Sequence, residues 1–212
     1  MTIQGDPIPL SYYQSTDVVA LARDLLGKSL FTLKDGDLTG GLITEVEAYA
    51  GEHDKASHAY KLRRTRRTEV MFQEGGCAYV YLCYGLYPLF NIVTATAGIP
   101  HAILIRSIEP QEGIEIMRSR RGHKKILATG PGIMTQALAI TLEDSGQRLD
   151  SNTVWLEDRG LTPQEDEVIA TPRIGIAYAE ECAAYPWRFQ LRAHLTYIKA
   201  SNGQKRVSSH YA

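Results

Sequence analysis

From Gly75 to Pro100 the chain carries no charged side chain, and no other stretch constrains the fold as much. The run is long enough to cross a bilayer as one helix. Its middle, YGLYPLFN, would then put Gly85, Pro88 and Asn91 at the bilayer centre, whereas two strands joined by a turn at those residues explain the same composition without strain. The run is therefore read as a buried hairpin, and no membrane span is expected. A lone hairpin is marginal in water and needs other elements packed against it. With 212 residues, 44% of them hydrophobic, the chain can supply these from one domain over 1–212. Fraying is expected over about the first 15 and the last 10 residues, where no pattern ties the ends down.

Periodicity sets the remaining elements. Thr16 is the expected N-cap of a helix ending at Gly27, with Val18, Leu21, Ala22 and Leu25 on one face. Lys28 to Leu33 and Leu38 to Ala50 read as strands joined by a turn at Asp35-Gly36. Alternation along the second strand puts Ile43, Glu45, Glu47 and Tyr49 on one face and Leu42, Thr44, Val46 and Ala48 on the other. Gly51 to Tyr60 reads as a loop. Further strands are expected at Ala78 to Tyr84, Leu89 to Thr96, Ala102 to Ile108, Thr153 to Glu157 and Val168 to Ile176. One helix is expected from Pro110 to Arg120, with the proline in its first turn, and another in ATGPGIMTQALAI. The GPG there completes no G-x-G-x-x-G, so a dinucleotide site is not implied.

Charge is nearly balanced, at 23 basic against 24 acidic side chains, and does not by itself mark a nucleic-acid binder. Its distribution is uneven. Lys61, Arg63, Arg64, Arg66 and Arg67 form one basic run, and Arg118, Arg120, Arg121, Lys124 and Lys125 a second; each is either solvated surface or a phosphate contact. Cys77, Cys83 and Cys182 are too scattered for a disulfide framework, and no secretory start is evident, so reduced thiols in a cytosolic setting are expected. Neither H-E-x-x-H nor G-x-S-x-G occurs, which leaves metal hydrolysis and acyl transfer unsupported.

Carboxylates and aromatic rings remain. Glu45 and Glu47 would lie about 7 Å apart on one strand face, a spacing compatible with an inverting sugar hydrolase; two solvent-facing glutamates on an edge strand is the plainer reading. Tyr79, Tyr81, Tyr84 and Tyr87 crowd the hairpin, where they either stack on nucleobases or fill the sheet. His58 follows the Glu47 strand closely in sequence.

Together these residues resemble the alkyladenine (3-methyladenine) DNA glycosylase family. ITEVEAYAG is similar to the family's catalytic strand, DKASHAY to the loop after it, MFQEGGCAYVYLCYGLYPLFNI to its DNA-inserting hairpin and AILIRSIEP to the next strand. GPGIMTQALAI, VWLEDRG, TPRIGIAYAEE and WRFQLR keep the family's order, so the resemblance runs from about Leu21 to Arg192.

The resemblance implies an α+β fold: a single mixed domain around a curved, largely antiparallel sheet with a protruding DNA-inserting β-hairpin. It implies base-excision repair, in which the N-glycosidic bond of a flipped alkylated or deaminated purine (3-methyladenine, 7-methylguanine, hypoxanthine or ethenoadenine) is hydrolysed to an abasic site without strand cutting. No cofactor and no metal are implied. Glu47 corresponds to the general base, and Arg106 and the main-chain carbonyl of Ile174 to the other contacts of the attacking water. Tyr49, His58 and Tyr81 correspond to the rings around the flipped base, Asn91 to the side chain that crowds the amino group of guanine, and Leu104 to the aliphatic pocket edge. Tyr84, with Leu86 and Tyr87, corresponds to the wedge at the hairpin tip, and Arg63, Arg64 and Arg67 are assigned to DNA. Arg66 replaces a family proline, Thr68 and Glu69 replace an Asn-Arg pair, and the segment from Asn91 to Arg106 is slightly longer than in the vertebrate form. The expected partner is double-stranded DNA with damaged purines, met by a monomer in the cytoplasm at the nucleoid or, in a eukaryote, in the nucleus. An inverting sugar hydrolase using Glu45 and Glu47 and a non-catalytic nucleic-acid-binding module stay open as alternatives.

Overall fold

The computed structural model describes residues 6–193, and the tail after Asn202 lies outside them. Strand Asp37–Tyr49 (β3) organises the rest. It turns back on Ser29–Lys34 (β2) through Asp35 and Gly36, whose φ angles are 54° and 83°, the left-handed pair that matches hairpin twist and favours Asp-Gly. On its other side lies His101–Glu112 (β6), followed by Tyr87–Thr94 (β5) and Ala78–Cys83 (β4). Beyond β2 lie Val154–Asp158 (β7) and the short Asp6–Pro7 (β1). β2 leaves β3 at Leu42, and Arg188–Leu191 (β9) takes over beside Glu45 to Glu47, with Val168–Thr171 (β8) paired outside it. Every one of these strand pairs is antiparallel.

Alternation divides the sheet's two faces. Val46, Ala48, Val80, Phe90, Ile92, Ile103 and Ile105 belong to the main core, together with Leu21 and Ala22 of helix Val18–Asp24 (α1), Met117 of Ile114–Arg120 (α2) and Met134 and Ala137 of Pro131–Ala137 (α3). The residues between them, including Glu47, Tyr79, Asn91, Leu104 and Arg106, face the other way. That face is covered by the segment 51–75, anchored by buried Met71 and Phe72 against Tyr79, Val93 and Ala102.

Several boundaries differ from the sequence reading. The N-cap is Asp17, not Thr16: its carboxylate accepts from the Ala20 amide at 2.9 Å, and two adjacent capping residues cannot be told apart by periodicity. The first 15 residues are not frayed from residue 6 onward, because β1 pairs with β7 and Tyr13 is fully buried. Pro110 does not open a helix; it continues β6 opposite Gly41, and α2 starts after Gly113, whose φ is 64°. Proline's fixed φ suits a strand as well as a first helical turn. The hairpin turn is Tyr84-Gly85-Leu86, with Pro88 and Asn91 inside β5. β6 joins β5 only from Asn91 to Thr94, so Pro88 sits where the strand has a neighbour on one side only. β8 ends at Thr171 rather than at Ile176, as Pro172 follows. Ile43 belongs to the main core with Val46 and Ala48, because the β3–β6 register shifts on both sides of Glu45. Glu45 and Glu47 are buried in the central strand, not exposed on an edge. Among the described residues, no helix is long and apolar enough to cross a membrane.

β3 and β6 also shift register at Gly41, where an added Cβ would lie 2.1 Å from the Glu109 carbonyl oxygen. Backbone cannot swing aside as a side chain can, so Gly41→Ala is expected to lower stability by about 1–3 kcal/mol. A lower urea midpoint at unchanged m-value checks this, and an unchanged midpoint would show that the two strands part freely at Gly41.

Candidate active site

The register across five strands sets Tyr79, Asn91, Leu104, Glu47 and Arg188 opposite one another in a single row. Opposed residues share a face, so strands distant in sequence deliver these side chains to one place. Glu47, 0% exposed, is the centre of it. Its Oε1 accepts from the Ile174 amide at 2.8 Å and lies 3.3 Å from Arg106 Nη1, while its Oε2 accepts from the Tyr49 hydroxyl at 2.8 Å. A buried carboxylate stays charged only where such donors replace water. Burial works against the Arg106 cation, but Glu47 and Glu45 outweigh it and hold its pKa above the usual value. Burial, then Glu47, raise the Tyr49 phenol well above its usual range, so Tyr49 remains a donor.

Glu45 sits in the same ion network and, like Glu47, has donors on both oxygens. Arg106 Nε and Arg188 Nη1 donate to its Oε1 at 2.8 and 3.1 Å, and Ser107 Oγ to its Oε2 at 3.0 Å. Burial pushes this carboxyl up; Arg106, Ser107 and Arg188 overcome that and leave it below the usual carboxylate range.

Aromatic rings flank the row. His58 packs edge-on against Tyr81 at 4.5 Å between centroids, Tyr81 stacks on Tyr79 at 5.5 Å, and His58 Nδ1 shares a hydrogen bond with the Tyr79 hydroxyl at 2.9 Å. Tyr49 lies over the Arg173 guanidinium at 4.7 Å, and Trp187 lies over the same guanidinium at 5.1 Å. Arg173 is buried and donates to Asp54, to the Ala48 carbonyl and to the Cys182 carbonyl. Asp54 also accepts from the Ala50 and Ala56 amides, so one ion pair ties the His58 loop to the segment carrying Ile174. The amide nitrogen of Asn91 donates to the Tyr79 carbonyl at 3.0 Å. Leu104 is buried between Asn91 and Glu47 in the row.

At the hairpin turn Tyr84 is 90% exposed and Leu86 70%, with Tyr87 exposed beside them. Tyr84 has a φ of 52°, so the ring projects from a left-handed turn position. Arg63, Arg64 and Arg67 are exposed in the neighbouring loop; Arg64 pairs with Glu69, and Arg67 lies 5.8 Å over Tyr81. A polar cavity of about 440 Å³ opens there, lined by His58, Lys55, Arg63, Arg67, Thr65 and Tyr178. In the second basic run Arg118, Lys124 and Lys125 are exposed, while two residues are tied into the fold. Arg120 donates to the Ala137 carbonyl, and Arg121 is buried against Gln136.

Sequence reasoning missed Asp54, Arg173, Arg188 and the commitment of Glu45. Asp54 and Arg173 lie 119 residues apart, and no local pattern pairs them. Among the described residues no three His, Cys, Asp or Glu side chains gather as a metal site.

Residues 11–195 match the family model described as methylpurine-DNA glycosylase (MPG). The chain is 48% identical over 200 residues to a protein of Bacillus mycoides and 46% identical over 188 residues to one of Chlamydia felis, both named "Putative 3-methyladenine DNA glycosylase". These alignments span 88% and 87% of this chain, and 96% and 95% of the two relatives. The chain therefore belongs to the methylpurine-DNA glycosylase family, whose members are DNA-repair glycosylases.

Burial, then the cations Arg67 and Arg63, push the His58 pKa down to about 4. The imidazole is thus expected to stay neutral from pH 5 to 8, checked by NMR titration of its ring protons. Because the unfolded state takes up this proton near pH 6.5, the contribution of His58 to stability is full above that value and is lost as pH falls towards 4. A ring titrating near 6.5 in the folded protein would refute it.

Proposed function

We propose that this chain, as a single-domain monomer without a cofactor, hydrolyses the N-glycosidic bond of alkylated or deaminated purines flipped out of duplex DNA, with Glu47 as the general base. The observation that carries the reading is Glu47 itself, a fully buried carboxylate held by Tyr49, Arg106 and the Ile174 amide beside aromatic rings. Flipping the nucleotide costs a few kcal/mol. The exposed Tyr84, flanked by Leu86 and Tyr87, is suited to occupy the gap left in the stack, while Arg63, Arg64 and Arg67 meet phosphates.

The extruded base lies against Tyr49, with Tyr81 and His58 as the opposing rings. An alkylated purine is cationic, which favours tyrosine faces, and a neutral His58 does not repel it. The attacking water, held by Glu47, Arg106 and the Ile174 carbonyl, gives its proton to Glu47 as its oxygen bonds to the sugar carbon. The bonding pair of the glycosidic bond leaves with the purine, so the cationic alkylated base departs neutral and an uncharged deaminated base departs as its anion, to be protonated on release. The Glu47 charge also stabilises the oxocarbenium character that develops on the sugar. Lys55, the lysine lining the adjacent cavity, is paired with Glu180 and Glu181, and these keep its pKa raised. No motif lysine is placed to form a Schiff base with the sugar, so the reaction stops at the abasic site. The inverting sugar hydrolase would need Glu45 as its general acid, and a carboxyl that Arg106, Ser107 and Arg188 hold below the usual carboxylate range is a poor proton donor, which disfavours it.

Glu47→Gln keeps the shape and removes the base. Binding to a duplex with one damaged purine is expected to survive while single-turnover base release falls by at least about 10²–10⁴-fold. Release at the wild-type rate would remove Glu47 from the mechanism.

Asn91, whose amide nitrogen is committed to the Tyr79 carbonyl, is proposed to stand where the 2-amino group of guanine would go. Adenine and hypoxanthine lack that group, so collision excludes the common base. Asn91→Ser is expected to begin releasing guanine from mismatched duplexes while retaining release of hypoxanthine. Loss of all excision together with a lowered Tm, and no guanine release, would make the residue structural.

A further inference from the structure

We propose that Glu45 is a positioning residue of this site: a buried carboxylate that fixes, through Arg106 and Arg188, the two groups that hold Glu47. The inference rests on the reading of Glu47 as the general base. Glu45 is 4% exposed, and both its oxygens are engaged. One route runs through Arg106, whose Nε binds Glu45 at 2.8 Å while its Nη1 lies 3.3 Å from Glu47. The other runs through Arg188, which donates to Glu45 at 3.1 Å and, from its Nε, to Thr171 Oγ1 and the Pro172 carbonyl. Pro172 leads directly into Arg173 and Ile174, and the Ile174 amide is the donor on Glu47 Oε1. Ser107 completes the anchor, binding Glu45 Oε2 and accepting from the Gly130 amide at 3.0 Å.

The charge has a reason as well as the geometry. A guanidinium shared between two carboxylates cannot turn its full fork onto Glu47 and quench it as a base. The register shifts on both sides of Glu45 accompany this aim, and bulges commonly re-aim side chains beside active sites. The groups facing Glu47 are Arg106 from β6, Tyr49 from β3, Tyr81 from β4, and Arg173 with the Ile174 amide from the segment after β8. Arg188 from β9 and Glu45 lie one step further out.

The test is single-turnover base release across pH on a deoxyinosine duplex, with binding measured separately. Glu45→Gln is expected to bind damaged duplex within about two-fold of wild type and to release base about 10²-fold more slowly on the pH plateau. The acid limb of its profile should also move to lower pH, since the variant takes a negative charge out of the cluster around the base. Glu45→Asp keeps the charge but withdraws it from Arg106, so release slows with the acid limb in place. A residue serving stability alone would lower Tm without moving the limb, and that result overturns the proposal. So does Glu45→Gln with the wild-type rate and limb. Should Glu45→Gln fail to fold, Arg188→Gln carries the test: slower release at unchanged binding supports the proposal, and wild-type release overturns it. Glu47→Gln run alongside separates the two readings. If it still releases base, the assignment of Glu47 fails; if it is inactive while Glu45→Gln is unaffected, the positioning role alone fails.

Discussion

Burying a carboxylate costs several kcal/mol unless its partners take the place of water, and the middle of this sheet buries two of them two residues apart on β3. Arg106 sits between Glu45 and Glu47, and much of the architecture serves to bring it there. The β3–β6 ladder shifts register beside it, β2 gives way to β9 at this level, and β9 contributes Arg188 to the same cluster. Removing one member of such a network leaves an uncompensated buried charge, which is far more costly than the net contribution of the intact set. The candidate site is therefore also a structural centre, built on the middle of the sheet.

A second buried ion pair extends this centre from the sheet to the loops. Asp54 and Arg173 come from the two irregular segments that cover the site face, and neither segment has a ladder of its own to hold it. Arg173 packs against the rings of both Tyr49 and Trp187 and precedes Ile174, so one side chain braces an aromatic ring and a hydrogen bond to Glu47 together. The loop it binds also carries His58. Loops positioned by a rigid scaffold are where binding residues concentrate, and here the scaffold reaches into them through one guanidinium.

The basic residues sort by burial. The run from Lys61 to Arg67 is exposed beside a polar cavity and next to the tyrosine-bearing hairpin turn. Arg120 and Arg121, in the second run, are spent on carbonyls and amides around α3. A chain of near-zero net charge can thus carry a local cationic patch, because acidic side chains outnumber basic ones over the rest of it.

Local pattern determined a good part of this protein. The uncharged run around Gly85 dictates a hairpin, the Asp35-Gly36 pair dictates a left-handed turn, and alternation along β3 places Glu45, Glu47 and Tyr49 on one face. Those features depend on backbone sterics and a period of two, which neighbouring residues specify by themselves. The residue types around the hairpin and the Glu47 strand were also sufficient to point to the family. Only the tertiary structure decided that Glu45 is committed to Arg106, Ser107 and Arg188, that Pro110 extends a strand, that Ile43 turns into the core, and that Asp54 meets Arg173. Each of these is set by a partner brought in from a distant segment, through a register shift or a buried charge pair. The energy of such a pairing resides in low-dielectric contact between the two partners and leaves no trace in the periodicity of either segment.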